Sequence, residues 1–211
     1  MKYKAKQYYQ DKDVAERYYK KRFSSLSGRL NHFLEKLFLK GAIQNLEIGS
    51  ALDVACGTGR LTRELLDFKI ERITGTDISE EMMEVAREYC SNKVEFQKGD
   101  ATHLPFKDNE FDLVISYRFL DHLPAEEKKK VIREITRVSN KYLIFTMANL
   151  NTWTRIARTL RKIINKNYYE GIFIEEKEVI DLLESCKVSV IKKKLKLPLL
   201  AMEIMYFCEK S

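Results

Sequence analysis

No stretch of this 211-residue chain approaches the ~18 to 20 consecutive apolar residues that span a bilayer, so a membrane-spanning helix is excluded. Its first residues, MKYKAKQYYQDKD, are basic but lead into no apolar run, and they do not read as a secretory signal. Cysteine and histidine are both scarce. Cys56, Cys90, Cys186 and Cys208 lie far apart with no Cys-x-x-Cys pair, and the three histidines have no metal-ligand spacing. A disulfide framework and a zinc site are therefore not expected, and a reduced, cytoplasmic setting is. There is no internal repeat and no low-complexity segment. What remains is an ordinary globular composition, 45% hydrophobic and 33% charged.

The formal charge of +7 is unevenly spread. Residues 1–40 carry 11 Lys/Arg against 4 Asp/Glu, residues 41–150 carry 15 against 19, and residues 151–211 carry 12 against 8. An acidic middle thus sits between two basic flanks. Such flanks serve a nucleic acid, an anionic surface or an anionic substrate, or they simply keep helical faces solvated.

Residues 1–46 read as helical, with apolar spacings of three and four in VAERYYKKRF and GRLNHFLEKLFLKGAI and a break at SSLSG (24–28). From residue 50 the pattern alternates. Strands are predicted at 50–55, 72–77, 93–98, 111–116 and 141–147. Helices are predicted between them at 60–69, 79–90 (with Ser79 as N-cap) and 124–139 (with Pro124 in the first turn). This order specifies parallel βαβ units. Beyond strand five come a basic helical stretch with Arg155, Arg158, Arg161, Lys162 and Lys166, an amphipathic helix at 175–186, and two strands joined tightly around Pro198. Such a short link forces those two strands to pair antiparallel. The expected fold is α/β, Rossmann-like: a mostly parallel seven-stranded sheet with one antiparallel strand, helices on both faces and an N-terminal helical arm.

In such sheets ligands sit at the carboxyl ends of the strands, where strand order reverses. The segment ALDVACGTGRLT (51–62) falls there. A dinucleotide fingerprint would need glycine at Thr62, and a triphosphate loop would need Gly-Lys-Ser/Thr where Arg63, Glu64 and Leu65 stand. Instead Asp53 lies in the glycine turn, Asp77 ends strand two and Asp100 follows strand three. Three carboxylates repel a pyrophosphate. They accept hydrogen bonds from an ammonium, ribose hydroxyls and an exocyclic amine, and they tolerate a positive sulfonium. This favours S-adenosylmethionine over a nicotinamide dinucleotide.

Four segments in register carry a resemblance to the class I S-adenosylmethionine-dependent methyltransferases, nearest to the small-molecule, methyltransferase type 11-like branch that includes quinone biosynthesis. They are LDVACGTG, TGTDISEEMMEVARE, KGDATHLPF and FDLVISYRFLDHLP, within residues 48–147. The resemblance implies that Asp53, Ala55, Gly57 and Gly59 hold the methionine portion. Asp77 would take the ribose hydroxyls, with Ile78 and Met82 flanking the adenine. Asp100 would receive the adenine amino group beside the Ala101 backbone, and Ser116 and Tyr117 would line the floor near the reactive methyl. It also divides the chain into an arm or lid at 1–46, a cofactor-binding domain at 47–211 and a substrate-recognition insert at 148–172. Three departures stand out. Ala55 replaces the family's usual glycine, SNKYLIF replaces its Lys-Pro-Gly-Gly turn, and Asp121 stands where many relatives have histidine or asparagine.

His122 is the histidine placed near this pocket, and it becomes the candidate base if the acceptor must shed a proton. His32 and His103 read as surface or packing residues. Tyr9, Tyr18 and Arg22 of the arm could touch substrate or cofactor, and the basic insert suggests an anionic small-molecule acceptor. Two alternatives remain. One is an RNA or protein methyltransferase, although SYRF stands where some base-modifying enzymes have Asn/Asp-Pro-Pro-Tyr. The other is a cofactor-binding regulatory protein without turnover.

Overall fold

The computed structural model describes residues 26–90, 92–148, 175–195 and 203–211. The VAERYYKKRF helix, Tyr9, Tyr18, Arg22, the basic run Arg155–Lys166 and the connection around Pro198 lie outside the described residues.

The elements in chain order are α1 (Leu26–Ile43), β1 (Ser50–Val54), α2 (Thr62–Leu65), β2 (Arg72–Asp77), α3 (Glu80–Tyr89), β3 (Val94–Lys98), β4 (Phe111–Ser116), a 3-10 turn (Leu120–His122), α4 (Ala125–Val138), β5 (Ser139–Ala148), α5 (Glu176–Ser185), β6 (Val188–Leu195) and β7 (Glu203–Lys210). The seven strands form one sheet in the order β3-β2-β1-β4-β5-β7-β6. β1 pairs in parallel with both β2 and β4, so strand order reverses between β1 and β4. β7 runs antiparallel to both β5 and β6, and the pairing with β6 is the one the short link requires.

Strand periodicity divides the core into two layers, because successive side chains point to opposite faces. Leu52, Val54 and Val114 face Val131, Ile132 and Ile135 of α4 and Val179 and Leu183 of α5. Ala51, Leu113 and Ile115 face Phe38, Leu39 and Ile43 of α1 and Leu61 and Leu65. Both faces are covered, which is why β1 and β4 read as continuous apolar runs rather than alternating ones.

Two helix boundaries differ from expectation. The helix predicted at 60–69 is confined to Thr62–Leu65. Beyond it Leu66, Asp67 and Phe68 donate to carbonyls three residues back, so the chain tightens into 3-10 geometry instead of continuing as α-helix. Pro124 is the N-cap of α4, with ψ 155°, rather than part of its first turn. The break expected at SSLSG is partly absorbed, since α1 begins at Leu26. Ser79 does cap α3, its hydroxyl accepting from the Met82 N–H at 3.1 Å. Among the described residues no helix is long and apolar enough to cross a membrane.

Candidate functional site

The strand reversal between β1 and β4 opens a cavity of about 430 Å³. Its walls come from the loops after β1, β2, β3 and β4, the carboxyl-end position expected for this sheet. Asp53, Ala55, Gly57, Asp77, Ile78, Met82, Asp100, Ala101, Tyr117 and His122 all line it. Residues nearly 70 positions apart in sequence are thus gathered on one surface.

Asp77 is the organising acid. Its Oδ2 accepts the Gly57 N–H at 2.8 Å and its Oδ1 accepts the Ser79 N–H at 3.0 Å. One carboxylate therefore ties the glycine loop to the start of α3, and each oxygen keeps a lone pair for a ligand. Burial nonetheless pushes its pKa up. Asp53 is buried behind the loop and accepts from the Thr62 hydroxyl at 2.6 Å. Burial raises it to about 7, outweighing the opposing pull of Thr62 and Arg60. Asp100 accepts from both the backbone and the hydroxyl of Thr102, at 2.9 and 2.7 Å. The loop that carries it is pinned to α4. Arg137 donates to the Phe106 and Leu104 carbonyls at 2.9 and 3.1 Å, and Glu134 accepts the Leu104 N–H at 2.7 Å.

The loop after β1 explains its own composition. Ala55, Gly57 and Gly59 all have left-handed φ, of 57°, 55° and 72°. Ala55 thus stands in a conformation that favours glycine. Gly59 does not line the cavity. A Cβ there would come within 2.8 Å of Cys90 Sγ and 2.9 Å of Ala86 Cβ, so this glycine admits α3 rather than a ligand. Ser116 is the second correction: its hydroxyl donates to the Val54 carbonyl at 3.2 Å, inside the sheet and away from the cavity.

A charged group behind the cavity was not expected from the sequence. Arg60 and Arg118 line the cavity and share Glu35 of α1, whose side chain is fully buried. Arg60 Nη1 lies 2.5 Å from Glu35 Oε2, and Arg118 lies 3.8 Å from Glu35 Oε1 and 3.7 Å from Glu203. His32, expected to be a surface or packing residue, joins this group. Its Nδ1 is 2.9 Å from Arg60 Nη1 and its Nε2 is 3.2 Å from Glu64 Oε1. Because a guanidinium only donates, Nδ1 accepts and Nε2 carries the hydrogen given to Glu64. Burial would raise Glu64, but His32 and Lys36 together bring it down to about 2. Arg60 follows the glycine turn directly, and that adjacency was a usable signal. No pattern connects it to Glu35, 25 residues earlier. Arg118 itself has φ 56°, held by its N–H donating to Thr146 Oγ1 at 2.7 Å. His103, by contrast, is exposed as expected.

Among the described residues no cluster of His, Cys, Asp and Glu could hold a metal ion. A donor-rich small ligand does suit the site, since three carboxylates and the glycine-loop backbone face one cavity of ordinary ligand size.

Comparison with known proteins shows what this geometry resembles. Residues 51–141 match the family described as a methyltransferase domain. The chain is 34% identical over 128 residues to the demethylmenaquinone methyltransferase of Desulfitobacterium hafniense (strain Y51), which covers 56% of this chain and 50% of that protein. It thus spans about half the length of that curated relative. In fold it is similar to magnesium protoporphyrin IX methyltransferase from Synechocystis PCC 6803, solved with bound S-adenosylhomocysteine. The TM-score is 0.75 at 19% identity, covering 89% of this chain and 88% of that one. The PH0226 protein from Pyrococcus horikoshii OT3 has a TM-score of 0.72 at 24% identity, covering 89% and 92%. The cofactor of this class is S-adenosylmethionine, and the matched domain includes the glycine loop, Asp77 and Asp100. Residues 51–141 thus match a methyltransferase domain, and the fold around them is like that of known methyltransferases.

Proposed function

We propose that this chain transfers the methyl group of S-adenosylmethionine to a small-molecule acceptor held in the cavity at the β1/β4 reversal. The observation that carries this reading is the convergence of Asp53, Asp77 and Asp100 on that cavity. They form a set of acceptors matched to a ligand rich in donors. Bound there, the cofactor supplies an electrophilic methyl on a positively charged sulfur.

The chain's own residues then have distinct tasks. Asp53 takes the ammonium, beside the backbone of Ala55 and Gly57. Asp77 takes the ribose hydroxyls with the lone pairs that Gly57 and Ser79 leave open. Ile78 and Met82 flank the adenine, and Asp100 with the Ala101 backbone receives its amino group. Tyr117 lines the same cavity. Methyl transfer is an in-line displacement, so holding both reactants in alignment supplies much of the acceleration. His122 is exposed on the cavity wall and removes a proton from an acceptor that must lose one. A small acceptor is supported by the names of two similar proteins, a demethylmenaquinone and a magnesium protoporphyrin IX methyltransferase.

Titration calorimetry with S-adenosylmethionine, on wild type and on Asp77→Ala, tests the assignment. Binding by wild type that is lost or strongly weakened in the variant is expected. No binding by wild type, or equal binding by both, overturns it. Incubation of wild type with metabolite fractions and labelled cofactor then separates the functions: transfer of label marks an enzyme, whereas binding without transfer to any fraction marks a regulatory protein.

A further inference from the structure

Helix α1 is apolar on two opposite faces, and the sheet uses one of them. Phe38, Leu39 and Ile43 are buried in the core. On the far side Leu26, Leu30, Phe33 and Leu37 recur at intervals of four, three and four. These residues are 84%, 46%, 56% and 45% exposed. At 100° per residue they fall within about 60° of arc, a straight ridge roughly 16 Å long. Exposing four large apolar side chains in line is costly unless something covers them.

The charges beside the ridge indicate what does. Arg29 and Lys40 are exposed along one flank, and no acidic residue of α1 borders the ridge, since Glu35 is buried on the opposite side. Residues 1–40 as a whole carry a surplus of seven positive charges. A second copy of this chain, or its own basic first 25 residues, would bring positive charge against positive charge. An anionic lipid surface is complementary to both features at once. The apolar ridge enters the headgroup–acyl boundary while the basic flank meets the phosphates.

We propose that the exposed Leu26–Leu37 ridge of α1 docks this protein reversibly on an anionic membrane surface. The opposite face of the same helix carries Glu35 and His32 to Arg60 at the cavity wall. Docking therefore brings the cavity to within one helix thickness of the lipid.

Sedimentation of the full chain with vesicles tests this, comparing phosphatidylcholine mixed with phosphatidylglycerol against phosphatidylcholine alone. Wild type is expected to pellet with the mixed vesicles and much less with the neutral ones, and binding should weaken as salt rises. Combined Leu30→Ser, Phe33→Ser and Leu37→Ser should reduce binding by about tenfold or more. Because these side chains are exposed, the fold should persist, as circular dichroism and unimpaired S-adenosylmethionine binding would show. Arg29→Gln with Lys40→Gln should reduce binding by about tenfold and flatten the salt dependence. The proposal is overturned if wild type binds no vesicles, binds both kinds equally, or binds as well after the triple change. It is likewise overturned if wild type is a dimer that ignores vesicles and the triple variant is a monomer, since a second copy then covers the ridge. None of these outcomes depends on methyl transfer, so they are distinguishable from failure of the catalytic assignment.

Discussion

The Asp77 carboxylate accepts the Gly57 N–H with one oxygen and the Ser79 N–H with the other, at 2.8 and 3.0 Å. Through this pair the end of β2 holds the loop after β1 in its left-handed turn and orients the first turn of α3. Asp77→Asn should therefore weaken S-adenosylmethionine binding by ten- to a hundredfold, on the basis of about 1.5–3 kcal/mol for a hydrogen bond to a charged group. An amide offers a single acceptor atom and cannot serve the loop, the cap and a ribose together. Calorimetry of the two proteins measures the ratio, and a change below about twofold would contradict the arrangement.

Asp53 gives the site a pH dependence. Its carboxyl is raised from the usual 3.8 to about 7, chiefly by burial. A folded-state pKa above the unfolded one means that the native protein holds the extra proton between these values. Its contribution to stability is then present below the unfolded pKa and is lost as pH rises through about 7. The proposed pairing with the cofactor ammonium needs the ionised form. Affinity should therefore rise by about tenfold from pH 6 to pH 8, with proton release on binding near pH 6. Calorimetry in buffers of different ionisation enthalpy reads both quantities, and Asp53→Asn should remove the part of the dependence centred near pH 7.

Two positions of one loop predict opposite results. Ala55 has φ 57°, so Ala55→Gly should relieve strain and raise stability by about 0.5–1 kcal/mol after glycine's entropic cost. Gly59 has φ 72° and abuts α3, so Gly59→Ala should lower stability by about 2–4 kcal/mol. Urea denaturation midpoints at constant slope decide both signs.

Glu35 is the shared carboxylate of Arg60 and Arg118 and is fully buried. Glu35→Ala leaves two guanidinium groups without it and should cost about 2–4 kcal/mol, at the lower end because both arginines keep some solvent contact. Glu35→Gln keeps an oxygen acceptor and should cost roughly half as much. Thermal unfolding of the two variants against wild type provides the comparison.

The readable features were those with a local cause. The strands at 72–77 and 111–116 were expected at the bounds observed, because both are short segments rich in β-branched residues, set between the neighbouring helices and loops. Ser79 announced α3 as a cap. Thr62–Leu65 misled, because the apolar spacing of 60–69 says nothing of where tertiary packing makes the chain tighten. Ser116 was misplaced for a related reason. Its position at the end of β4 was right, but the neighbouring strand's Val54 carbonyl claims its hydroxyl.

By itself the sequence determined the α/β order, the antiparallel β6–β7 pairing and the three acids at the strand ends. Each follows from hydrophobic period, link length or residue chemistry within a few positions. Only the tertiary structure decided that Gly59 serves helix packing and that Glu35 and His32 stand behind Arg60. The same holds for the second apolar face of α1, which stays outside the core. These depend on which side chains meet across elements distant in sequence, and helix and strand periods fix a side chain's direction without naming its neighbour.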